Sequence, residues 1–251
     1  MHGYRIRRGK GGRVIGNRRI LAVVPARGGS KGIPLKNLRP VLGVPMVARV
    51  GKVIQALPAI DRAVVSTDHD EIARVAEAAG IAAPFRRPPE ISGDRIGDWD
   101  VLVHALNETE RLDGMTYDIV VMLQPTSPLR RPEHVQAAIE MLSKGGWDAV
   151  WTLSETDSKE HPLKQMTVTA GEMDFYDPAG KAVIARQQLK PVYHRNGIAY
   201  AITRECLLDQ RQIKGRRTGG LILDGYFVSI DTEWDIALAE FIMRRDGWSE
   251  E

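Results

Sequence analysis

The sequence predicts an α/β fold, a mainly parallel sheet with helices on both faces and one small inserted β-rich lobe. Short, continuous apolar runs alternate with helical stretches of about ten residues or more, which is the rhythm of βαβ units. Segments rich in glycine, proline and charge follow the carboxyl ends of those runs. Residues 155–195 break the rhythm with shorter alternating segments and several turn residues. The expected division is a basic flexible arm over 1–19, a core over 20–154 and 196–251, and an inserted lobe over 155–195.

Each element has its own signal. Ile20-Leu-Ala-Val-Val-Pro-Ala26 is apolar throughout, as a strand covered on both faces must be. Residues 27–43 are punctuated by Gly, Pro, Lys and Arg and form a loop. Pro45 opens a helix to about Leu57, because the missing N–H of proline has no partner in a first turn. Arg62–Thr67 is the second strand, and Asp68 suits the cap of a helix that ends at Gly80. A helix over about 98–112 precedes a strand at Ile119–Leu123. Pro132 opens a helix to about Lys144, followed by a strand at Asp148–Thr152. After the lobe come strands at Gly197–Ile202 and Tyr226–Ile230, then a helix from about Glu233 to Arg245.

Composition narrows the function classes. Of 251 residues, 43% are apolar and 27% charged, the proportions of a soluble globular protein. Cys206 is the one cysteine, so neither an internal disulfide nor a cysteine zinc site can form; it reads as a small semi-buried side chain. No run of about 18 uncharged apolar residues suggests a membrane span, and the basic start lacks the apolar stretch of a signal peptide. The expected location is cytoplasmic. The net charge of +3 hides an asymmetry: residues 1–19 hold seven bases and no acid, leaving 28 bases and 32 acids for the rest. The arm reads as a solvated tail, and the remainder is not a basic nucleic-acid binder.

In open α/β sheets, ligands bind beyond the carboxyl ends of the strands. The segments placed there are Arg27–Asn37, Gln124–Arg130 and Asp231–Asp235. The first is the most informative: Pro25-Ala-Arg-Gly-Gly-Ser-Lys-Gly-Ile-Pro-Leu-Lys-Asn37. Gly28, Gly29 and Gly32 let the backbone turn tightly and bring N–H groups up to an anion. Arg27, Lys31 and Lys36 add positive charge and Ser30 a hydroxyl, which together suit a triphosphate. The spacing matches neither a P-loop nor the dinucleotide-binding glycine pattern. Asp231 reads as a ligand for Mg²⁺, as the cap of the last helix, or as both.

The stretch Ile20–Leu38 resembles the N-terminal signature of the acylneuraminate cytidylyltransferase (CMP-sialic acid synthetase) family. Further segments agree in order: Ser66-Thr-Asp68, Arg87-Pro88, Leu123-Gln-Pro-Thr-Ser-Pro-Leu-Arg130, His161-Pro-Leu-Lys164, Arg186-Gln-Gln-Leu189, Arg195-Asn-Gly197 and Asp231-Thr-Glu233. The likeness covers about residues 20–245.

The resemblance implies a Rossmann-like fold and transfer of CMP from CTP to a nonulosonic (sialic-type) acid, with Mg²⁺ as cofactor. It implies that Arg27, Ser30, Lys31, Lys36 and Asn37 hold the triphosphate and ribose region, that Lys36 offsets charge at the transition state, and that Arg87 lies near the cytosine. Gln124, Arg186 and Arg195 map onto sugar-contacting positions. Tyr200 lines the same pocket or belongs to the core. Relatives dimerise through the inserted lobe, which would carry Lys164 into the neighbouring subunit's site. Two departures stand out. The chain has Ser229-Ile-Asp231-Thr where many relatives read Asp-x-Asp-Thr, and Ser92-Gly-Asp-Arg-Ile-Gly-Asp98 where they carry small hydroxyl residues. The second places Asp94, Gly97 and Asp98 where nucleotide contacts are expected. An acceptor of another kind, an octulosonic acid or a phosphonate, and a non-catalytic nucleotide binder are the alternatives. No histidine is placed as a base, since His104 and His134 read as packing or surface residues on helices.

Overall fold

A computed structural model describes residues 18–248. The basic arm, apart from Arg18 and Arg19, lies outside the described residues. Six strands form one sheet: β1 (Ile20–Pro25), β4 (Arg62–Ser66), β5 (Ile119–Met122), β6 (Ala149–Glu155), β9 (Tyr193–Thr203) and β10 (Thr218–Ile222). Their order is β10-β6-β9-β5-β1-β4. The β1–β4, β1–β5 and β6–β10 pairs are parallel, and β9 runs antiparallel between β5 and β6.

Alternation along the strands sends side chains to two apolar layers. Ile20, Ala22 and Val24 of β1 face α1 (Met46–Gln55), α2 (Asp70–Ala78) and α4 (Pro132–Gly145), packing on Val50, Ile72 and Ile139. Leu21 and Val23 face α3 (Asp98–Asp113) and α5 (Arg204–Leu208), packing on Leu102 and Leu207. A third cluster sits beside the sheet, where α6 (Glu233–Arg245) packs on Ile33, Ile230 and the hairpin of β2 (Pro40–Val41) and β3 (Val44–Pro45). Cys206 is buried in the second layer, and burial pushes its thiol up to about 11. Between β6 and β9 the chain forms a separate antiparallel pair, β7 (Met166–Thr169) and β8 (Glu172–Phe175), flanked by short 3₁₀ turns. No described helix is long and apolar enough to cross a membrane.

Four local expectations are corrected. No strand forms over Tyr226–Ile230; the edge strand is Thr218–Ile222. A Cβ at its Gly219 would come within 2.7 Å of Met141, so glycine here lets α4 approach the sheet. Tyr226 is 74% exposed, and Ile230 N–H donates to the Thr126 carbonyl instead of joining a ladder. Pro45 stands at the cap position of α1, extended at φ −52° and ψ 138°, because it also closes the β2–β3 pair. The cap of α2 is His69, whose ring accepts from Glu71 N–H, while Asp68 turns to the glycine loop. Thr232 caps α6 in a capping box with Asp235, which leaves the Asp231 carboxylate outside that role.

Candidate active site

Three segments meet beyond the carboxyl ends of β4, β1 and β5, where the connections that follow β1 and β5 depart to opposite sides. They enclose a cleft of about 470 Å³ walled by Arg27, Ser30, Lys31, Gly32, Lys36, Asn37, Arg87, Asp94, Asp98, Gln124 and Asp231. The fourth wall segment, at Asp231, follows no strand. Tertiary contact brings it in: Ile230 N–H donates to the Thr126 carbonyl at 2.8 Å, and α6 holds Ile230 in the third cluster.

The glycine loop is held from several sides. Asn37 is buried and its amide donates to the Arg27 carbonyl at 2.9 Å, closing the loop on itself. Gly28 N–H donates to Asp68 Oδ1 at 2.8 Å, and a Cβ there would meet the His69 ring at 3.0 Å. A Cβ on Gly32 would lie 2.6 Å from the Asp231 carbonyl, so the loop touches that segment only because residue 32 has no side chain. Leu35 takes the left-handed region at φ 48° just before Lys36. Lys36 Nζ, 16% exposed, donates to the Ile230 carbonyl at 2.7 Å and to Asp231 Oδ1 at 2.8 Å. The Gly28 N–H is therefore taken, and Ser30 N–H donates to the Gly28 carbonyl. The Gly29, Lys31 and Gly32 N–H groups have no backbone or side-chain partner among the described residues.

Charge in the cleft is uneven. Asp94 accepts from Arg27 Nη1 at 2.6 Å and pairs with Lys31 Nζ at 2.5 Å. Lys31, then Arg27, hold its carboxyl below the usual carboxylate range. Arg87 is 5% exposed and donates to Ser66 through Nε at 3.1 Å and Nη2 at 2.5 Å. Burial lowers it to about 10, which leaves a cation in the cleft at neutral pH. Asp98, the first residue of α3, is half-buried, and burial raises its carboxyl against the opposing pull of Arg195 and Arg87. Among the described residues no cluster of three or more His, Cys, Asp or Glu could cage a metal. Asp231, 74% exposed beside Lys36, offers a single carboxylate of the kind Mg²⁺ shares with phosphate oxygens and water.

The remaining sugar-side positions separate. Gln124 lines the cleft. Tyr200 is 4% exposed in the core, with its ring edge-on to Trp151 at 5.3 Å. Arg195 is exposed and stacks over Trp151 at 5.5 Å. Arg186 lines a second cleft, about 550 Å³, beside His161 and His194, and Lys164 is exposed near it in the turn Pro162–Lys164. The neighbours of Arg195 are structural. The Asn196 amide joins Thr152 and Ser154 at 2.7 and 3.1 Å, and Gly197 adopts φ 71° with Ser127 Oγ 2.5 Å from where a Cβ would stand.

Sequence reasoning placed Gln124–Arg130 beyond a strand end without identifying what holds the loop. Arg130 is 3% exposed and donates to the carbonyls of Ile198 at 2.5 Å, Gln124 at 2.6 Å and Gly197 at 3.1 Å. Burial lowers it to about 9. Asp68 and Ser66 were also missed as supports of the site. The signal for both was their place at the carboxyl end of β4, next to the glycine loop.

A family model described as cytidylyltransferase matches residues 21–240. An N-acylneuraminate cytidylyltransferase of Oncorhynchus mykiss is 33% identical over 92% of this chain and 52% of its own length. A CMP-N,N'-diacetyllegionaminic acid synthase of Legionella pneumophila is 31% identical over 90% of this chain and 96% of its own. The chain thus spans about half the length of the fish relative and nearly all of the bacterial one. A solved CMP:2-keto-3-deoxy-manno-octonic acid synthetase complexed with CTP shares the fold, with a TM-score of 0.66 at 19% identity, covering 91% of this chain and 99% of the other. With its glycine loop, its cleft at the β1 crevice and this family match over most of its length, the chain belongs to the cytidylyltransferase family.

Proposed function

We propose that this chain transfers CMP from CTP to a hydroxyl of a nonulosonic (sialic-type) acid, releasing pyrophosphate. One observation carries the reading: three cations of a single glycine-rich turn, Arg27, Lys31 and Lys36, face one cleft, with Lys36 fixed against Asp231. The names of the relatives at 33% and 31% identity support both the nucleotide and the class of acid.

Arg27, Ser30 and Lys31, with the N–H groups of Gly29, Lys31 and Gly32, bind the triphosphate. Asn37 and the Gly28 N–H act on the loop itself, keeping that surface in place before the ligand arrives. Binding replaces the contacts of Arg27 and Lys31 to Asp94 by contacts to phosphate. Arg87, tethered to Ser66 by Nε and Nη2, donates with Nη1 to the O2 and N3 acceptors of cytosine. Uracil offers a donor at N3 and fits worse. Gln124 and Arg195 hold the acid, with the arginine fork matched to its carboxylate. The acceptor oxygen attacks the α-phosphorus, the α–β bridging P–O bond breaks, and pyrophosphate leaves toward Lys36 and Lys31. Asp231 would hold Mg²⁺, which when bound neutralises charge on the phosphate oxygens.

The chain acts as a homodimer in the cytoplasm, where CTP is made. Val168 at 69%, Met173 at 65% and Ile184 at 92% exposure leave the 155–195 segment with apolar surface that a second copy would cover. Lys164 and Arg186 lie on that segment and serve the acceptor side of the dimer.

The test is pyrophosphate release with each nucleoside triphosphate and Mg²⁺ against a panel of nonulosonic acids, an octulosonic acid and phosphonates. Turnover is expected with CTP and a nonulosonic acid. Turnover only with an octulosonic acid or a phosphonate moves the acceptor class, and tight CTP binding without turnover on the panel makes the chain a nucleotide binder. Asp231→Asn is expected to raise the Mg²⁺ concentration for half-maximal rate by about tenfold or more; an unchanged metal titration removes the residue from the metal.

A further inference from the structure

Three carboxylates line the nucleotide cleft, and two of them already have cations. Asp94 is held by Arg27 at 2.6 Å and Lys31 at 2.5 Å, and Asp231 by Lys36 at 2.8 Å. In the reading above both belong to the phosphate side of the cleft, Asp94 beside the triphosphate cations Arg27 and Lys31 and Asp231 beside Lys36 as the residue that would hold the metal. Among the described residues no histidine lines the cleft. The third, Asp98, is half-buried in the cleft wall, and no described residue donates a hydrogen bond to its carboxylate or forms an ion pair with it.

We propose that Asp98 is the general base of the reaction, taking the proton of the acceptor's attacking hydroxyl. This rests on the cytidyl-transfer reading above. As the hydroxyl oxygen bonds to the α-phosphorus, its O–H electron pair stays with that oxygen and the proton passes to an Asp98 oxygen. The α–β bridging P–O bond breaks with its electron pair leaving on pyrophosphate. The proton is lost to solvent after the products depart.

The surroundings of Asp98 fit a base in the ionised state. Arg87 faces it from the strand-end loop and Arg195 from β9, with the Tyr200 hydroxyl in the same field. Asp100 follows on its own helix. The first turn of α3 favours a negative side chain. Burial raises the proton affinity of the carboxyl above that of an ordinary aspartate, against the opposing pull of Arg195 and Arg87, which strengthens it as a base. Its two cationic neighbours are the residues assigned to the base and to the sugar acid, so Asp98 stands between the two substrates.

Asp98→Asn keeps the shape and removes the base. Pyrophosphate release against pH and CTP affinity by calorimetry should be measured for wild type, Asp98→Asn and Asp98→Glu. The expected result is a fall in kcat of about 100-fold or more in Asp98→Asn, the scale of general-base contributions. CTP affinity and acceptor KM should stay within about threefold, with the acid limb of the kcat profile gone and partial recovery in Asp98→Glu. A kcat within threefold of wild type with its acid limb intact would overturn the assignment. So would a defect confined to CTP affinity or to acceptor KM, since it would make Asp98 a ligand of the ground state. Wild-type protein that turns over no acceptor overturns the transfer reading and this role together; normal wild type beside an unimpaired Asp98→Asn removes Asp98 alone.

Discussion

Lys36 is held by two oxygens on one side, the Ile230 carbonyl and Asp231, so its charge is fixed before any nucleotide arrives. Preorganised charge of this kind acts chiefly on the transition state. Lys36→Ala is expected to lower kcat by about 100-fold or more while the melting temperature moves little; near-normal pyrophosphate release would take it out of the mechanism. Gly32 is a different case, where the absence of a side chain matters. A methyl there meets the Asp231 carbonyl at 2.6 Å, and that oxygen is backbone, so the loop must move. Gly32→Ala should weaken CTP binding by about tenfold, roughly 1.4 kcal/mol, with the rest of the fold intact; calorimetry giving the wild-type affinity would show that the loop tolerates the shift. Lys36 and Gly32 were legible in the sequence as residues of the glycine-rich loop after the first strand. Their contacts with residues 230 and 231 were not, because nearly 200 positions separate the partners.

The elements carry the site by where they start. The first turn of α4 shows how: Pro132 stands at its first position, and the His134 ring nitrogen accepts from Arg131 N–H at 3.2 Å, which requires the neutral imidazole at that nitrogen. His134 is packed edge-on against Phe227 at 5.3 Å, and burial lowers its pKa to about 4 from the usual 6.5. Between those values the unfolded chain binds the proton and the folded one does not. Stability is therefore full above about pH 6.5 and falls as pH drops toward 4, by up to about 3 kcal/mol. His134→Gln retains a capping acceptor and does not titrate, so its urea midpoint should be flatter than that of wild type across this window. An identical slope in both proteins would place the acid sensitivity elsewhere. The edge strand β10 went unread because Gly-Gly signals a turn locally, whereas here Gly219 admits Met141 of α4 and Gly220 lies against Leu153 of β6.

At the level of the whole molecule, two apolar layers fix the sheet and a third cluster fixes α6 beside it. That third cluster joins Ile33 of the glycine loop to Ile230 and Ile236, so the two walls of the cleft share one apolar support. The exposed apolar side chains of the β7–β8 segment belong to no such cluster. If a second copy covers them, light scattering should give a dimer mass, and Val168→Lys with Met173→Lys should shift it to the monomer. Cytidyl transfer should then fall, because Lys164 and Arg186 would lose their placement. A wild-type chain monomeric at assay concentration would refute the dimer.

The sequence by itself determined the α/β class, most helices and strands, and the glycine-rich turn that walls the cleft. Those depend on local periodicity and on residue types whose chemistry is read within a few positions. Only the tertiary structure decided the antiparallel course of β9, the edge strand with its glycines, the position of Asp231 against Lys36, and Arg130 as the tie between two loops. Among the described residues it also left Asp98 as the cleft carboxylate without an ion pair or hydrogen-bond donor. Each of these depends on which distant segment packs alongside. Burial and pairing settle that choice over the whole chain, and no local pattern records it.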